Sequence, residues 1–240
     1  MQYASFYVLI LLSDSCLITL HEIYLQYIWE IFLAFAYLLN VGINMIKEGY
    51  TRVSEILSQW DKFGHVNQEI LSRKCAIGTQ VHSAICNHLR GIPPVLDEEI
   101  EGYFNSYIRW MLSIKDLFPT SIEERIYDDK LMITGQLDLI GALSKEEGNV
   151  VIDWKTSISA SKEFWSLQGA FYYMLASKKY DMAKRCIFVQ LKKDGSLPKV
   201  HSYTIDEELL SVAMNAYSCY RYLEDWLKKR DRQQCGKQQL

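Results

Sequence analysis

A chain of 240 residues, 49% of them hydrophobic and 23% charged, is long enough for one ordinary domain with a real core, and it lies outside the disordered, fibrous and low-complexity classes. Its formal net charge of -3 excludes a global basic footprint for nucleic acid, so any polyanion would have to meet a local basic groove. The six cysteines are scattered, with no CxxC pair and no histidines at zinc-like spacing, which argues against a disulfide scaffold, a zinc site or a four-cysteine iron–sulfur cluster and for reduced thiols in a cytoplasmic-type compartment.

Residues 1–46 differ from the rest. Residues 1–44 hold no Lys or Arg and only Asp14, Glu22 and Glu30 as acids, so the remainder carries 26 charges of each sign. Phe6–Leu12 is nearly all apolar and Ile31–Leu39 wholly so. Neither reaches the roughly 18 residues of a clear membrane span, and no basic residue precedes the first run as in a secretory signal. Three readings compete: a membrane-associated helix or hairpin, an appended helix packed on the domain, or an extension ahead of a native start at Met45. No chemistry is assigned to this region.

The domain is expected over residues 47–230, with a frayed polar tail over 231–240. The spacing of Leu71, Cys75, Gly78, His82, Ile85 and Leu89 predicts a helix from Gln68 to Arg90, stopped by Gly91-Ile92-Pro93-Pro94. A second helix is expected over Asp97–Leu117. Strands follow at Ile122–Tyr127 and Leu131–Leu143, joined by the polar turn Asp128-Asp129-Lys130, and a short apolar strand at Val150–Trp154. A helix is predicted over Ser161–Ser177, a strand over Arg185–Leu191, a further strand over Val200–Thr204, and a terminal helix over Asp206–Lys229. This order suggests an α/β fold: a central mixed sheet flanked by helices.

Asp153 and Lys155 are two apart on a predicted strand and therefore share a face. Fifteen residues earlier the preceding strand offers Asp138. If those strands pair, two carboxylates converge, and a divalent cation relieves their repulsion. Hard oxygen ligands suit Mg²⁺, with Mn²⁺ as a substitute. Lys155 would stand beside the cation as a fixed positive charge. Taken alone, Asp153 and Lys155 read as a strand-end ion pair sooner than as a nuclease site, and His82 as a core histidine.

The neighbouring motifs decide between these readings. In chain order stand Thr51–Leu57, Gly78-Thr79-Gln80-Val81-His82, Glu123 twelve residues before Gly135, Gly135-Gln136-Leu137-Asp138, Ile152-Asp153-Trp154-Lys155-Thr156 and Gln168-Gly169-Ala170-Phe171-Tyr172. Together they resemble the RecB-like, lambda-exonuclease-like branch of the PD-(D/E)XK nucleases, a family with many phage and plasmid members. The resemblance runs from about residue 50 to 175 and implies a restriction-endonuclease-like fold.

It also implies a function: a Mg²⁺-dependent DNA nuclease, exonuclease rather than endonuclease, of the kind used in DNA repair or recombination. Asp138 and Asp153 would bind the metal together with the Trp154 backbone carbonyl, and His82 would be a further ligand or would touch the scissile phosphate. Lys155 would position the attacking water. Glu123 would be an auxiliary acid, although Glu124 competes for that role. Gln168 and Tyr172 would contact DNA or brace Lys155. Trp154 and Trp165 are read as core, with base stacking as the alternative. Lys178, Lys179, Lys184 and Arg185 are read as solvated surface, with phosphate contact as the alternative. The chain lacks the cysteine set that gives some family members an iron–sulfur cluster, and it has no helicase motif. A homo-oligomer, or a helicase or recombination partner, fits the branch. Two other classes remain open: a catalytically silent nucleic-acid-binding module of the same fold, and a membrane-tethered protein acting through residues 1–46.

Overall fold

The computed structural model describes residues 46–59, 67–114, 116–158 and 161–237, with side chains described as far as residue 230. The apolar runs at 6–12 and 31–39 lie outside the described residues. Among the described residues no helix is long and apolar enough to cross a membrane. Glu48–Leu240 forms one compact unit.

Within it the elements are β1 (Thr51–Arg52), α1 (Val53–Ser58), α2 (Gln68–Leu89), α3 (Glu101–Ser113), β2 (Leu117–Asp128), β3 (Ile133–Leu143), β4 (Asn149–Lys155), α4 (Lys162–Ala176), β5 (Met182–Gln190), β6 (Lys199–Thr204) and α5 (Glu207–Lys237). The fold is the expected mixed sheet flanked by helices. β2 is antiparallel to β3 along its whole length, and β3 is antiparallel to β4 over Leu139–Ala142. β4 and β5 are parallel, which requires a crossover, and α4 supplies it. β6 is antiparallel to β5. β1 pairs in parallel with Ile133 and Thr134, so it takes over at the start of β3, away from the stretch that β4 pairs.

Each face of the sheet buries its own core. On one face Val151, Cys186 and Phe188 meet Val53 and Ile56 of α1, Phe171 and Leu175 of α4, and Ala213 of α5. On the other Val150, Ile152, Trp154, Ile187 and Val189 meet Val81 and Ile85 of α2 and Tyr107 and Trp110 of α3. The alternation of β4 and β5 between these cores is the two-residue period of a strand covered on both sides.

Several boundaries differ from the predicted ones for identifiable reasons. The second helix begins at Glu101, not Asp97, because the Asp97 carboxylate accepts the N–H groups of Glu99 and Ile100 at 2.9 and 3.1 Å and makes a turn of the intervening residues. It ends at Ser113, and β2 starts at Leu117 and runs through Pro119. A proline is tolerated there because β2 is an edge strand with a register shift between Pro119 and Ser121. The buried stripe of α2 is Ile77, Val81, Ala84, Ile85 and Cys86, whereas Cys75 of the predicted stripe is exposed and His82 sits at the stripe's edge. The backbone of α5 continues past Arg230 to Lys237, where a frayed tail was expected.

The turn between β5 and β6 is clasped to α3. Ser106 Oγ accepts the Lys192 N–H at 3.1 Å and donates to the Ser196 carbonyl at 2.7 Å. One turn away, a Cβ on Gly102 would lie 1.7 Å from the Lys193 carbonyl oxygen. Main chain cannot rotate aside as a side chain can. Gly102→Ala gains up to about 1 kcal/mol of helix propensity and loses about 2–3 kcal/mol to overpacking, since the obstacle is main chain. A thermal melt is expected to fall by roughly 2–6 °C; an unchanged melting temperature would refute this contact.

Candidate active site

The ladder between β3 and β4 stops at Leu139 and Ile152. Beyond that pair the strands part, and the next residues in register are Asp138 and Asp153. The N–H of Trp154, left without a strand partner on that side, donates to Asp138 Oδ2 at 2.9 Å. The Trp154 indole is buried, with Tyr107 and Trp110 edge-on at ring distances of 5.2 and 5.1 Å, so it is core and not a base-stacking platform. The same holds for Trp165, which stacks on Phe188 inside the other core.

The pleat breaks at the same place. Leu137 belongs to one core and Leu139 to the other, although residues two apart on a strand share a face. Across the ladder Ile122 faces Leu139 and Glu124 faces Leu137, which sets Glu123 opposite Asp138. Glu123 has φ 52°, a left-handed conformation that costs a non-glycine residue about 1 kcal/mol or more. The two acidic neighbours are thereby separated. Glu124 turns outward to Tyr180, Ser121 and Lys179. Glu123 accepts from Gln136 Nε2 at 2.6 Å, and Gln136 is in turn held by Arg125 at 2.6 Å. Neither Gln136 nor Arg125 stands out in the sequence; only the cross-strand pairing identifies them.

Three ligand atoms gather here. One atom each from His82, Glu123 and Asp138 lies within 4.8 Å of the others. His82 Nδ1 is 3.1 Å from Asp138 Oδ1, so both oxygens of the buried Asp138 are engaged. Asp153 stands beside this group and not in it. Its buried Oδ2 forms an ion pair with Lys155 Nζ at 2.6 Å. Lys155 also donates to Gln168 Oε1 at 3.0 Å and lies 5.3 Å over the Phe188 ring. Gln168 Nε2 donates to Tyr172 OH at 2.9 Å. Gln168 and Tyr172 are thus buried beneath Lys155 and brace it. A Cβ on Gly135 would come within 2.9 Å of the Tyr172 ring, so the glycine in this position lets α4 lie against β3.

The charges perturb one another. Burial pushes Glu123 up, and Asp138 adds to it against His82 and Gln136, leaving it at about 7. Burial pushes Asp153 up as well, Lys155 opposes and Asp138 assists, and it stands at about 6. Burial acts to lower His82, but Asp138, Asp153 and Glu123 outweigh it and raise the imidazole to about 9. Asp138 stays below its ordinary value, because the His82 charge and hydrogen bond and the Trp154 N–H overcome its burial. A largely buried group of three carboxylates with one aliphatic amine and one imidazole is short of positive charge. Carboxylate oxygens with one imidazole suit Mg²⁺ or Mn²⁺, so the residues present fit a divalent cation.

The basic run after α4 is surface and fully paired: Lys178 with Asp128, Lys179 with Glu124, Lys184 with Glu207 and Arg185 with Glu146.

A family model of the PD-(D/E)XK nuclease superfamily matches residues 76–235. Among curated proteins no relative matches the chain. Among solved structures, an alkaline exonuclease, LHK-Exo, from Laribacter hongkongensis is 14% identical, with 78% of this chain and 94% of that one covered and a TM-score of 0.45. LHK-Exo in complex with dAMP is similar at 14% identity, the same coverages and a TM-score of 0.44.

Because the folded Glu123 pKa of about 7 exceeds the ordinary 4.5, the folded protein keeps a proton that the unfolded chain loses between those values. Stability without metal therefore declines as pH rises through that window. Glu123→Gln removes its share of the decline and leaves the share that Asp153, also raised, contributes at lower pH. In EDTA the variant should melt a few degrees above wild type at pH 8, a gain on the order of 1 kcal/mol, and the gap should close toward pH 4.5. A gap independent of pH would contradict this origin of the shift.

Proposed function

This chain belongs to the PD-(D/E)XK nuclease superfamily, and we propose that within it the chain is a metal-dependent deoxyribonuclease that digests DNA from its ends. The observation that carries the reading is the juxtaposition at the fork of β3 and β4: Asp138 with His82 and Glu123 on one side, Asp153 with Lys155 on the other. Its catalytic unit is residues 47–230. The exonuclease mode rests on the sequence resemblance to the RecB-like branch, whose motifs this chain carries in order.

A divalent cation would be held by Asp138 and Asp153 with the Trp154 carbonyl, and His82 and Glu123, whose ligand atoms lie within 4.8 Å of that of Asp138, would complete its surroundings. When bound, a divalent cation supplies charge that stabilises the phosphoryl transition state and makes water a stronger nucleophile. The residues do the rest. Lys155 Nζ, fixed by Asp153, Gln168 and the Phe188 ring, holds the attacking water by a hydrogen bond and adds positive charge beside the phosphate. The water oxygen bonds to phosphorus as the opposite P–O bond breaks, and one proton passes to the departing oxygen. Gln168 and Tyr172 act through Lys155 as positioning residues, and Gln136 and Arg125 do the same for Glu123. The free thiols of Cys75, Cys86, Cys186 and Cys219 suit a cytoplasmic site of action.

End-labelled linear DNA and closed circular DNA, each with Mg²⁺, Mn²⁺ or EDTA, test this. Loss of the linear form alone, only with metal, is expected. Asp153→Ala and Lys155→Ala should each lower the rate by about 10²–10³ or more. Gln168→Ala should lower it by about 10–100-fold. Cutting of the circle would overturn the exonuclease mode, and full activity in Asp153→Ala would overturn the site.

A further inference from the structure

Positive charge is distributed unevenly over the sheet. At the start of β5 the basic side chains are matched one to one by carboxylates. At its other end Lys192, Lys193 and Lys199 stand in no ion pair among the described residues. All three line one cavity of about 330 Å³ together with Thr156, Ser157 and Gln190. Asp194 is the acidic member of that lining; its carboxylate accepts the Ser196 N–H at 3.0 Å and feels the charge of Lys192, so it offsets one of the three cations and leaves an excess of positive charge.

The cavity is built from rigid pieces that adjoin the active site. Thr156 and Ser157 directly follow Lys155. Gln190, buried at the end of β5, donates through Nε2 to the carbonyls of Ser157 and Ile158 at 2.8 and 2.9 Å, and Leu191 N–H donates to the Lys155 carbonyl at 2.7 Å. The opposite wall is the turn bearing Lys192 and Lys193, which Ser106 and the close approach of Gly102 fix to α3. Three ammonium groups around one cavity outnumber its one carboxylate, and an anionic ligand offsets the excess. Nearby, burial and the charges of Lys162 and Lys199 hold the His201 imidazole below its ordinary value, as an uncompensated positive field does.

We propose that this cavity is a phosphate subsite for the nucleic-acid strand, in which Lys192, Lys193 and Lys199 grip the backbone beside the phosphodiester that is cleaved. The inference rests on the nuclease reading and adds to it the residues that position the substrate. Thr156 and Ser157 of its lining directly follow Lys155, so the phosphate held by this cavity belongs to a nucleotide close to the scissile bond. Contacts of this kind carry no sequence information, so the grip is the same for any base order.

The test is binding of fluorescein-labelled DNA to the full chain, with Ca²⁺ replacing Mg²⁺, across about 50–300 mM salt. The variant Lys192→Gln/Lys193→Gln/Lys199→Gln is expected to bind at least about ten-fold more weakly at low salt, with the slope of log K against log salt shallower by about 2. Lys184→Gln/Lys228→Gln, which removes two exposed charges elsewhere, should keep the wild-type slope. If the triple variant keeps wild-type affinity and slope while wild type cleaves DNA and Asp153→Ala does not, the subsite is wrong and the nuclease reading stands. Equal losses in the control variant would likewise overturn the subsite. A wild-type protein that neither binds nor cleaves DNA would sink both.

Discussion

The hydrogen bond from the Trp154 N–H to the Asp138 carboxylate is the constraint on which the rest of the site depends. It stands where a sheet hydrogen bond would otherwise stand. A buried N–H at a fork between strands must find an acceptor, and here a side chain supplies it. That substitution lets β3 and β4 separate without an unsatisfied donor. It also draws Asp138 to the point where Asp153 and Lys155 leave the sheet. β1 fills the remaining edge at the start of β3, so the fork is a short gap in a continuous sheet and not the sheet's end.

Concentrating charge at this gap does not serve stability. Buried ion pairs seldom repay their desolvation, and here the acids outnumber the bases. The arrangement is held because everything around it is apolar and close-packed: Trp154 and Ile152 beneath α2 and α3 on one face, Phe188 beneath Phe171 of α4 on the other. The backbone strain at Glu123 belongs to the same pattern, since strained residues persist where their surroundings over-determine them.

Lys155 shows how a long, flexible side chain is given one position. Asp153, Gln168 and the Phe188 ring surround it, Tyr172 holds Gln168, and the missing Cβ of Gly135 lets Tyr172 approach. The glycine of the Gly135–Asp138 motif and the polar pair of the Gln168–Tyr172 motif are thus two ends of one structure. The matched charges after α4 and the unmatched ones beyond β5 then give the surface around that structure a direction.

The order of the helices and strands, the pairing of Asp153 with Lys155 on one face, and the set of motifs were all determined by the sequence. These depend on local periodicity and spacing, and a two-residue strand repeat survives almost any tertiary context. Its errors came where a tertiary or turn interaction outweighs local propensity. Asp97 captures amides instead of starting a helix, Pro119 sits in an edge strand instead of preceding one, and α2 turns inward a stripe offset by one residue from the expected one, with Ile85 common to both. Other features were decided by the tertiary structure alone. Among them are the choice of Glu123 over Glu124, the clamp of Gln136 and Arg125, the burial of Gln168 and Tyr172, and the cavity of Lys192, Lys193 and Lys199. Each rests on cross-strand register or on contact between residues far apart in the chain, which no single stretch of sequence encodes.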